Sequence, residues 1–236
     1  IERRFEDQWL AKLTRGLDET VGAEMRKRVL EGSDVVKSAV NPQEVIDWTR
    51  EAMRRLDSLL DEKDRTDVMS GCACHVPERR LIRVRDKYRE TKDFDLVHRM
   101  LRETFISDLR TGLKLDEELI GKILNWGWGM AGVREGNTVV ATKMPFDLRG
   151  YLEAADPEEK RYHYCHCPRI REAIKLSEPG ISSTYCYCGA GFYKDIWGKI
   201  LEQPVKVEVL ETVLEGSTVC RIAIHLPPTL VNAAKD

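Results

Sequence analysis

Cysteine is the residue type whose spacing stands out in this chain. Six of the seven cysteines form three Cys-x-Cys doublets, and the seventh lies near the C-terminus. They are Cys72, Cys74, Cys165, Cys167, Cys186, Cys188 and Cys220. Thiolate sulfur is the ligand that zinc, iron–sulfur clusters and other soft metals select. We therefore expect a metal centre built from these thiolates, and all seven are candidate ligands.

The doublets by themselves do not identify the metal. The chain has no Cys-x2-Cys pair and no run of the ferredoxin type. Two cysteines separated by one residue chelate the same ion only in a turn, because a strand or a helix keeps their side chains apart. A doublet can also supply one ligand while its second thiol takes no part. The expected cofactor is zinc or an iron–sulfur cluster, and both alternatives stay open.

Histidines adjoin two of the doublets and are the expected catalytic residues. His75 follows the first doublet, and His166 lies inside the second. Imidazole changes its charge near neutral pH, so it can act as an acid or a base. Glu208 and Glu211 are the carboxylates that we expect to orient them. A thiolate-bound metal with an open position would activate water or polarise a substrate, and the sequence leaves open whether the protein is an enzyme.

Tyrosines are concentrated around the second and third doublets and indicate a ligand pocket. Tyr164, Tyr187 and Tyr193 are the residues that we expect to contact a bound cofactor or small molecule. Small-molecule sites are lined mainly by apolar and aromatic side chains, with a few polar groups that fix orientation. A further use of the doublets is thiol chemistry. Cys188 favours it, because a helix is predicted to begin next to it and a helix N-terminus stabilises a thiolate.

The elements that must position these residues differ between the two parts of the chain. Residues 1–125 are predicted to be helical, beginning with an apolar stripe over residues 3–31. Residues 126–236 are predicted to mix helices with strands at 130–133, 138–143, 181–185, 205–214 and 219–226, with a helix over 189–201. The predicted fold class is therefore α+β, a helical N-terminal half followed by a mixed α+β unit with an antiparallel sheet. The two parts form two domains or one continuous domain.

A motif near the C-terminus resembles a known family. It comprises Cys186-Tyr-Cys-Gly-Ala-Gly-Phe-Tyr-Lys-Asp-Ile-Trp-Gly, then Val205-Lys-Val-Glu-Val-Leu-Glu, then Gly216-Ser-Thr-Val-Cys220-Arg-Ile-Ala-Ile. This pattern resembles the C-terminal half of the 4-vinyl reductase domain superfamily, whose members include bacterial sensors of aromatic compounds. A similar ending occurs in L-2-amino-thiazoline-4-carboxylic acid hydrolase-like proteins. The resemblance spans about forty residues and implies either ligand sensing or hydrolysis.

The same resemblance implies a zinc site held by cysteines and an acid. Cys186 and Cys220 match two of the ligand positions. Val209 and Thr212 stand where the relatives have the acid and a further cysteine. If this chain holds zinc in the same region, other cysteines must supply the missing ligands.

The composition of the chain limits the classes of partner that we expect it to bind. The formal net charge is -2 and acids are interleaved with the arginines, so we expect no binding to nucleic acid. No stretch approaches the roughly 18 apolar residues that span a bilayer, so we expect no membrane insertion. The odd number of cysteines favours reduced thiols and a cytoplasmic location. The predicted function is a cytoplasmic metal-binding domain with an aromatic-lined pocket for a small molecule or cofactor, compatible with a homo-oligomer. The alternative is a metal- or cluster-dependent enzyme with hydrolase, redox or lyase chemistry.

Overall fold

The computed structural model describes residues 3–177 and 180–228. The α-helices are α1 (Arg3–Val29), α2 (Val35–Ser38), α3 (Pro42–Leu59), α4 (Glu62–Gly71), α5 (Ile82–Thr91), α6 (Phe94–Ser107), α7 (Glu117–Asn125), α8 (Leu148–Glu153), α9 (Pro157–Tyr164), α10 (Pro168–Lys175) and α11 (Tyr187–Leu201). The strands are β1 (Val133–Glu135), β2 (Thr138–Thr142), β3 (Lys206–Glu211) and β4 (Arg221–His225). Short 3-10 turns span Glu78–Arg80, Ser183–Cys186 and Val213–Glu215, and a π turn spans Asp108–Gly112. The predicted α+β class is confirmed.

The chain divides into two compact units, each assembled from separate segments. The first unit comprises the described residues of Ile1–Ala73, Pro145–Gly191 and Thr212–Val219. The second comprises those of Cys74–Met144, Phe192–Glu211 and Cys220–Asp236. The change from helices to mixed structure near residue 126 falls inside the second unit, and a domain division at that residue stays a prediction.

The first unit is helical because its segments carry apolar residues at helical spacing. Leu13 and Leu17 of α1 are fully buried, as are Leu56 of α3 and Met69 of α4. Helix α3 begins as its sequence predicts, since the side chain of Asn41 accepts a hydrogen bond from the Glu44 amide. Helix α1 packs against α3 and α4, and α10 packs against α3. These contacts build one apolar core.

The second unit contains an antiparallel sheet in the order β1-β2-β4-β3. The central strands β2 and β4 are the most buried, as expected for strands with a neighbour on each side. Trp197 of α11 is fully buried and stacks on Phe94 of α6, with 5.2 Å between ring centroids. The hairpin predicted at 205–226 is confirmed as the pair β3 and β4, with a bulge between Val209 and Glu211.

Three of the predicted elements are wrong in detail. The strand predicted at 130–133 is displaced toward the C-terminus, since β1 spans Val133–Glu135. The strand predicted at 181–185 is instead the 3-10 turn Ser183–Cys186, which runs directly into α11. Aromatic residues favour strands because strands bury them, but here the 3-10 turn before α11 buries Tyr185. The stripe over residues 3–31 predicted one straight helix, whereas Gly22 adopts φ 83° and interrupts α1. Glycine alone takes that backbone region without a steric cost.

No helix among the described residues is both long and apolar enough to cross a bilayer.

The first turns of α11 lie against the end of α4 inside the first unit, and glycine makes this possible. A Cβ atom at Gly191 would lie 2.0 Å from the Ser70 carbonyl oxygen and 2.9 Å from the Ala73 side chain. A Cβ atom at Gly189, two residues earlier on the same helix, would contact nothing within 4 Å.

These two glycines give a matched test of the close approach. We expect Gly191→Ala to lower the free energy of unfolding by about 1–3 kcal/mol or more, because backbone must move. Gly189→Ala should leave it unchanged or raise it by up to about 1 kcal/mol, since alanine favours a helix. Urea denaturation followed by circular dichroism measures both. Equal stability of the two variants would show that the approach is not tight.

Candidate functional site

One cysteine from each doublet lies in a common region of the first unit. The Cys188 thiol donates a hydrogen bond to the Cys72 carbonyl at 3.4 Å. The Cys167 sulfur lies 3.1 Å from the Tyr185 hydroxyl. Cys188 also contributes to the raised pKa values of both Cys72 and Tyr185, although burial is the main cause of both shifts. Cys72, Cys167 and Cys188 are therefore neighbours, and we call them the thiol cluster.

The thiol cluster is assembled from three helix ends. Cys72 ends α4, Cys167 is the residue before α10, and Cys188 lies in the first turn of α11. Pro168 begins α10, because proline at the first helical position loses no hydrogen bond. Each helix end is fixed by local sequence, but their meeting depends on packing within the unit.

Arg169 lies beside the thiol cluster and is completely buried. Its guanidinium forms an ion pair with Glu6, which is also buried. The Trp9 ring lies 4.2 Å from the guanidinium carbon and stacks on Tyr185 at 5.4 Å. Burial lowers the pKa of Arg169, and the nearby Tyr185 and Cys188 oppose that shift. The group stays cationic because a guanidinium loses its proton only at extreme pH.

No pattern in the sequence identifies Arg169 as a residue of a site. Arg169 follows Cys167-Pro168 and reads as an ordinary residue of a helix first turn. Its Nη1 atom has no hydrogen-bond partner among the described residues, and the same holds for Nε1 of Trp9. A buried donor without an acceptor costs about 1–3 kcal/mol. Arg169 Nη1 is one of seven such donors among the described residues, so it is available to a ligand but does not by itself identify a site.

Burial keeps the Cys72 thiol of the cluster protonated. It raises the pKa of Cys72 well above the usual thiol value, and Cys188 adds to the shift. The Cys72 thiol, 1% exposed, donates to the Val68 carbonyl at 3.5 Å. Within the described residues, no group of three or more His, Cys, Asp or Glu side chains is arranged to hold a metal ion. The thiols lie near one another, but their sulfur atoms point to separate local acceptors.

The other members of the doublets have different surroundings. The Cys186 sulfur lies 2.7 Å from the Thr212 hydroxyl, so the structure brings together two positions that the family resemblance treats as ligand positions. Cys165 is partly exposed and follows α9. Cys74 is exposed and Cys220 is half-buried, and both belong to the second unit.

His75 has an orienting carboxylate that the sequence did not identify. Its Nδ1 atom lies 3.0 Å from an oxygen of Asp195, and both residues belong to the second unit. The Asp195 side chain is 14% exposed and also pairs with Lys199 at 2.7 Å. The two residues are 120 positions apart in the sequence, so no local pattern joins them.

The carboxylates expected to orient the histidines have other partners. Glu208 lies 3.2 Å from the His225 ring, and Glu211 pairs with Arg221 at 2.9 Å. Both contacts join β3 to β4 across the hairpin, and Glu211 lies directly opposite Arg221, where opposite charges stabilise the pair. The carboxylate beside His75 is Asp195, and orientation of a catalytic histidine by Glu208 or Glu211 stays a prediction.

His166 lies on an aromatic and cationic surface of the first unit. Its ring packs edge-on against Phe146 at 5.7 Å between centroids. The Arg171 guanidinium lies 4.1 Å from the same phenylalanine ring. A catalytic role for His166 stays a prediction.

The three tyrosines expected to line a pocket are distributed over both units. Tyr164 is 1% exposed and packs on Tyr151, and Tyr187 is half-buried at the start of α11. Tyr193 is in the second unit, where its hydroxyl donates to the Gly129 carbonyl at 3.3 Å. Burial raises the pKa of Tyr193, and Cys220 adds to the shift. A ligand contact for these tyrosines stays a prediction.

Comparison with known proteins gives one match. A family model described as a family of unknown function (DUF6144) matches residues 152–230. That segment contains Cys167, Arg169, Tyr185 and Cys188 but not Cys72. No curated protein and no solved structure matches the chain.

The first doublet provides a test of the burial argument. In metal-free protein at neutral pH, we expect iodoacetamide to modify Cys74 on the order of 100-fold faster than Cys72, because the thiolate is the reactive form and burial disfavours it. Peptide mass spectrometry after timed quenching measures both rates. In denaturant the two rates should converge. Equal rates in the native protein would contradict the assigned burial of Cys72.

Proposed function

We propose that the protein is a metal-binding domain in which Cys72, Cys167 and Cys188 hold a soft metal, either zinc or an iron–sulfur cluster. The observation that supports this proposal most strongly is that each doublet contributes one thiol to the same region of the first unit. The three doublets are far apart in the sequence, so their meeting is a property of the fold. Cys165 and Cys186 are each two residues from a cluster cysteine in the sequence and are the reserve ligands.

Metal binding requires the thiols to exchange a proton for a cation. The Cys72 and Cys188 thiols donate to carbonyl groups, and the Cys167 sulfur is hydrogen-bonded to the Tyr185 hydroxyl. A divalent cation reverses the effect of burial, because it stabilises the thiolate far more strongly than a neutral acceptor does. Rotation about the Cα–Cβ bonds is then needed to turn the sulfurs toward one point. The affinity for the metal should therefore rise with pH, because the thiol protons become easier to displace.

Arg169 is suited to balance the charge of such a centre. Three thiolates on one divalent ion carry a net charge of about -1, which is costly in a buried site. The guanidinium is buried beside Cys188 and retains an unsatisfied Nη1 donor. Hydrogen bonds to metal-bound sulfur tune a site's affinity and potential. Three thiolates also leave one coordination position for an outside ligand, as in catalytic zinc sites and clusters with an open iron.

A bound small molecule, a cytoplasmic location and a family relationship are further proposals for this protein. A small molecule bound at the open position and a cytoplasmic location that keeps the thiols reduced both fit this centre. Kinship with the 4-vinyl reductase superfamily is a separate proposal, because it implies other ligands. The relatives' zinc site would use Cys186, which has Thr212 as its neighbour. Our proposal places the main ligands on the other members of the doublets.

Cobalt and zinc titrations test the metal centre, and the doublets supply their own controls. We expect the purified chain to bind Co²⁺ with a thiolate-to-metal absorption band that Zn²⁺ displaces. Cys72→Ser, Cys167→Ser and Cys188→Ser should each weaken binding on the order of 100-fold, because each removes one of three ligands. Cys74→Ser, Cys165→Ser and Cys186→Ser should change it by less than about threefold.

Iron is tested in parallel by anaerobic reconstitution with iron and sulfide. A visible absorption band that depends on the same three cysteines identifies a cluster instead of zinc. If neither metal binds, or if the partner cysteines matter as much as the cluster cysteines, the proposed ligand set is wrong.

A second function, hydrolysis, is favoured by the contact between His75 and Asp195. A carboxylate that binds Nδ1–H fixes the tautomer and leaves Nε2 as the acid–base atom. This arrangement fits the hydrolase activity that the sequence resemblance implies. The exposed Cys74 precedes this histidine directly in the chain.

Hydrolysis of L-2-amino-thiazoline-4-carboxylate is the direct assay. His75→Gln and Asp195→Asn should each lower kcat/KM roughly 100-fold or more, as expected for loss of acid–base catalysis. The matched control is His163→Gln, since His163 makes a similar 2.8 Å contact with Asp147 in the first unit. Equal activity in all three variants, or no turnover by the wild-type protein, would reject this second function.

A further inference from the structure

A cavity in the second unit is built from the connection between α7 and β1. Its volume is about 290 Å³, near the lower end of the range for small-molecule sites. Phe105 and Trp128 supply aromatic walls, and His98, Arg102 and Arg134 supply polar groups. None of the residues that line the cavity is an aspartate or a glutamate. The cavity walls therefore carry two aromatic rings and two arginine cations, with no acidic residue among the lining residues.

Glycines give the cavity its shape. The connection reads Trp126-Gly-Trp-Gly-Met-Ala-Gly132, and its three glycines all have positive φ. A Cβ atom at Gly129 would lie 2.5 Å from the Phe105 ring, and one at Gly132 would lie 2.8 Å from the Val140 carbonyl oxygen. At Gly129 and Gly132 the segment thus follows a path that a side chain would block, which is typical of backbone that approaches a ligand or a packed wall.

Hydrogen bonds hold the same segment in place. The Gly129 amide donates to the Thr142 carbonyl at 2.9 Å, and Tyr193 donates to the Gly129 carbonyl. The His98 Nε2 atom lies 3.2 Å from the carbonyl oxygens of both Ala131 and Gly132, so it donates to them and the ring is anchored. The cavity is preformed, and a ligand would not have to order its walls.

The two arginines differ in their partners. Arg134 pairs with Asp95, donates to the Gly136 carbonyl and stacks on Phe94 at 4.9 Å. Arg102 is exposed, and it forms no ion pair with any carboxylate in the part of the chain that the structure describes. A guanidinium presents a planar fork that matches a carboxylate. Arg102 is thus the group available for an anionic ligand.

We infer that this cavity binds a small organic anion with a flat apolar body, such as an aromatic carboxylate. Its ring would lie against Phe105 and Trp128, and its carboxylate would accept hydrogen bonds from Arg102. This site involves none of the cysteines and goes beyond the proposed metal centre, so each can fail without the other.

Isothermal titration of the full chain with benzoate tests the inference. We expect saturable binding to the wild-type protein and at least tenfold weaker binding to Arg102→Met. The matched control is Arg99→Met, which removes an exposed arginine of the same helix that does not line the cavity and should leave the Kd unchanged. Benzamide, which has the same ring without the charge, should bind at least tenfold more weakly than benzoate.

Three results would overturn the inference. They are no benzoate binding to the wild-type protein at millimolar concentration, equal binding to Arg102→Met and to the wild type, and equal binding of benzamide and benzoate. Circular dichroism of each variant confirms that the comparison is made between folded proteins. A repeat in the presence of a chelator, with the same Kd, separates this site from the metal centre.

Discussion

The close approach of α11 to α4 is the constraint on which the thiol cluster depends. Gly191 allows it, because any side chain there would meet the Ser70 carbonyl. The approach places Cys188 within hydrogen-bonding distance of the Cys72 backbone. The end of α4 and the start of α11, which are distant in the sequence, thus bring the first and third doublets together. The second doublet contributes Cys167, which directly precedes Pro168 at the start of α10. A side chain at position 191 would force α11 away from α4 and so separate Cys188 from Cys72.

The buried ion pair of Arg169 with Glu6 has a cost that ordinary core packing avoids. Apolar residues of similar volume would stabilise the first unit at least as well, since desolvating two charges is expensive. The fold nevertheless surrounds the guanidinium with Trp9 and Tyr185 and places it beside the Cys188 thiol. In the structure this cation neutralises Glu6. Under the proposed function it would also balance the charge of metal-bound thiolates, so the proposal treats the arginine and the cysteines as one site.

Local signals in the sequence predict most of the secondary structure but only part of the site. The capped start of α3 and the alternating residues of β3 and β4 are short-range patterns, and they predict the α+β class correctly. The aromatic residues at 181–185 predict a strand, whereas Tyr185 is buried in a 3-10 turn, and residue type does not distinguish the two. The roles of Arg169 and Asp195 depend on contacts with residues 163 and 120 positions away, which one sequence does not reveal.

X-ray absorption spectroscopy of the metal-loaded protein tests the central claim most directly, because it counts sulfur ligands at the metal. A thiolate centre predicts about three sulfur neighbours at a zinc–sulfur distance of about 2.3 Å, or the iron–sulfur and iron–iron distances of a cluster. Replacing all three partner cysteines Cys74, Cys165 and Cys186 should leave that sulfur shell unchanged. A shell made of nitrogen and oxygen alone would contradict the account.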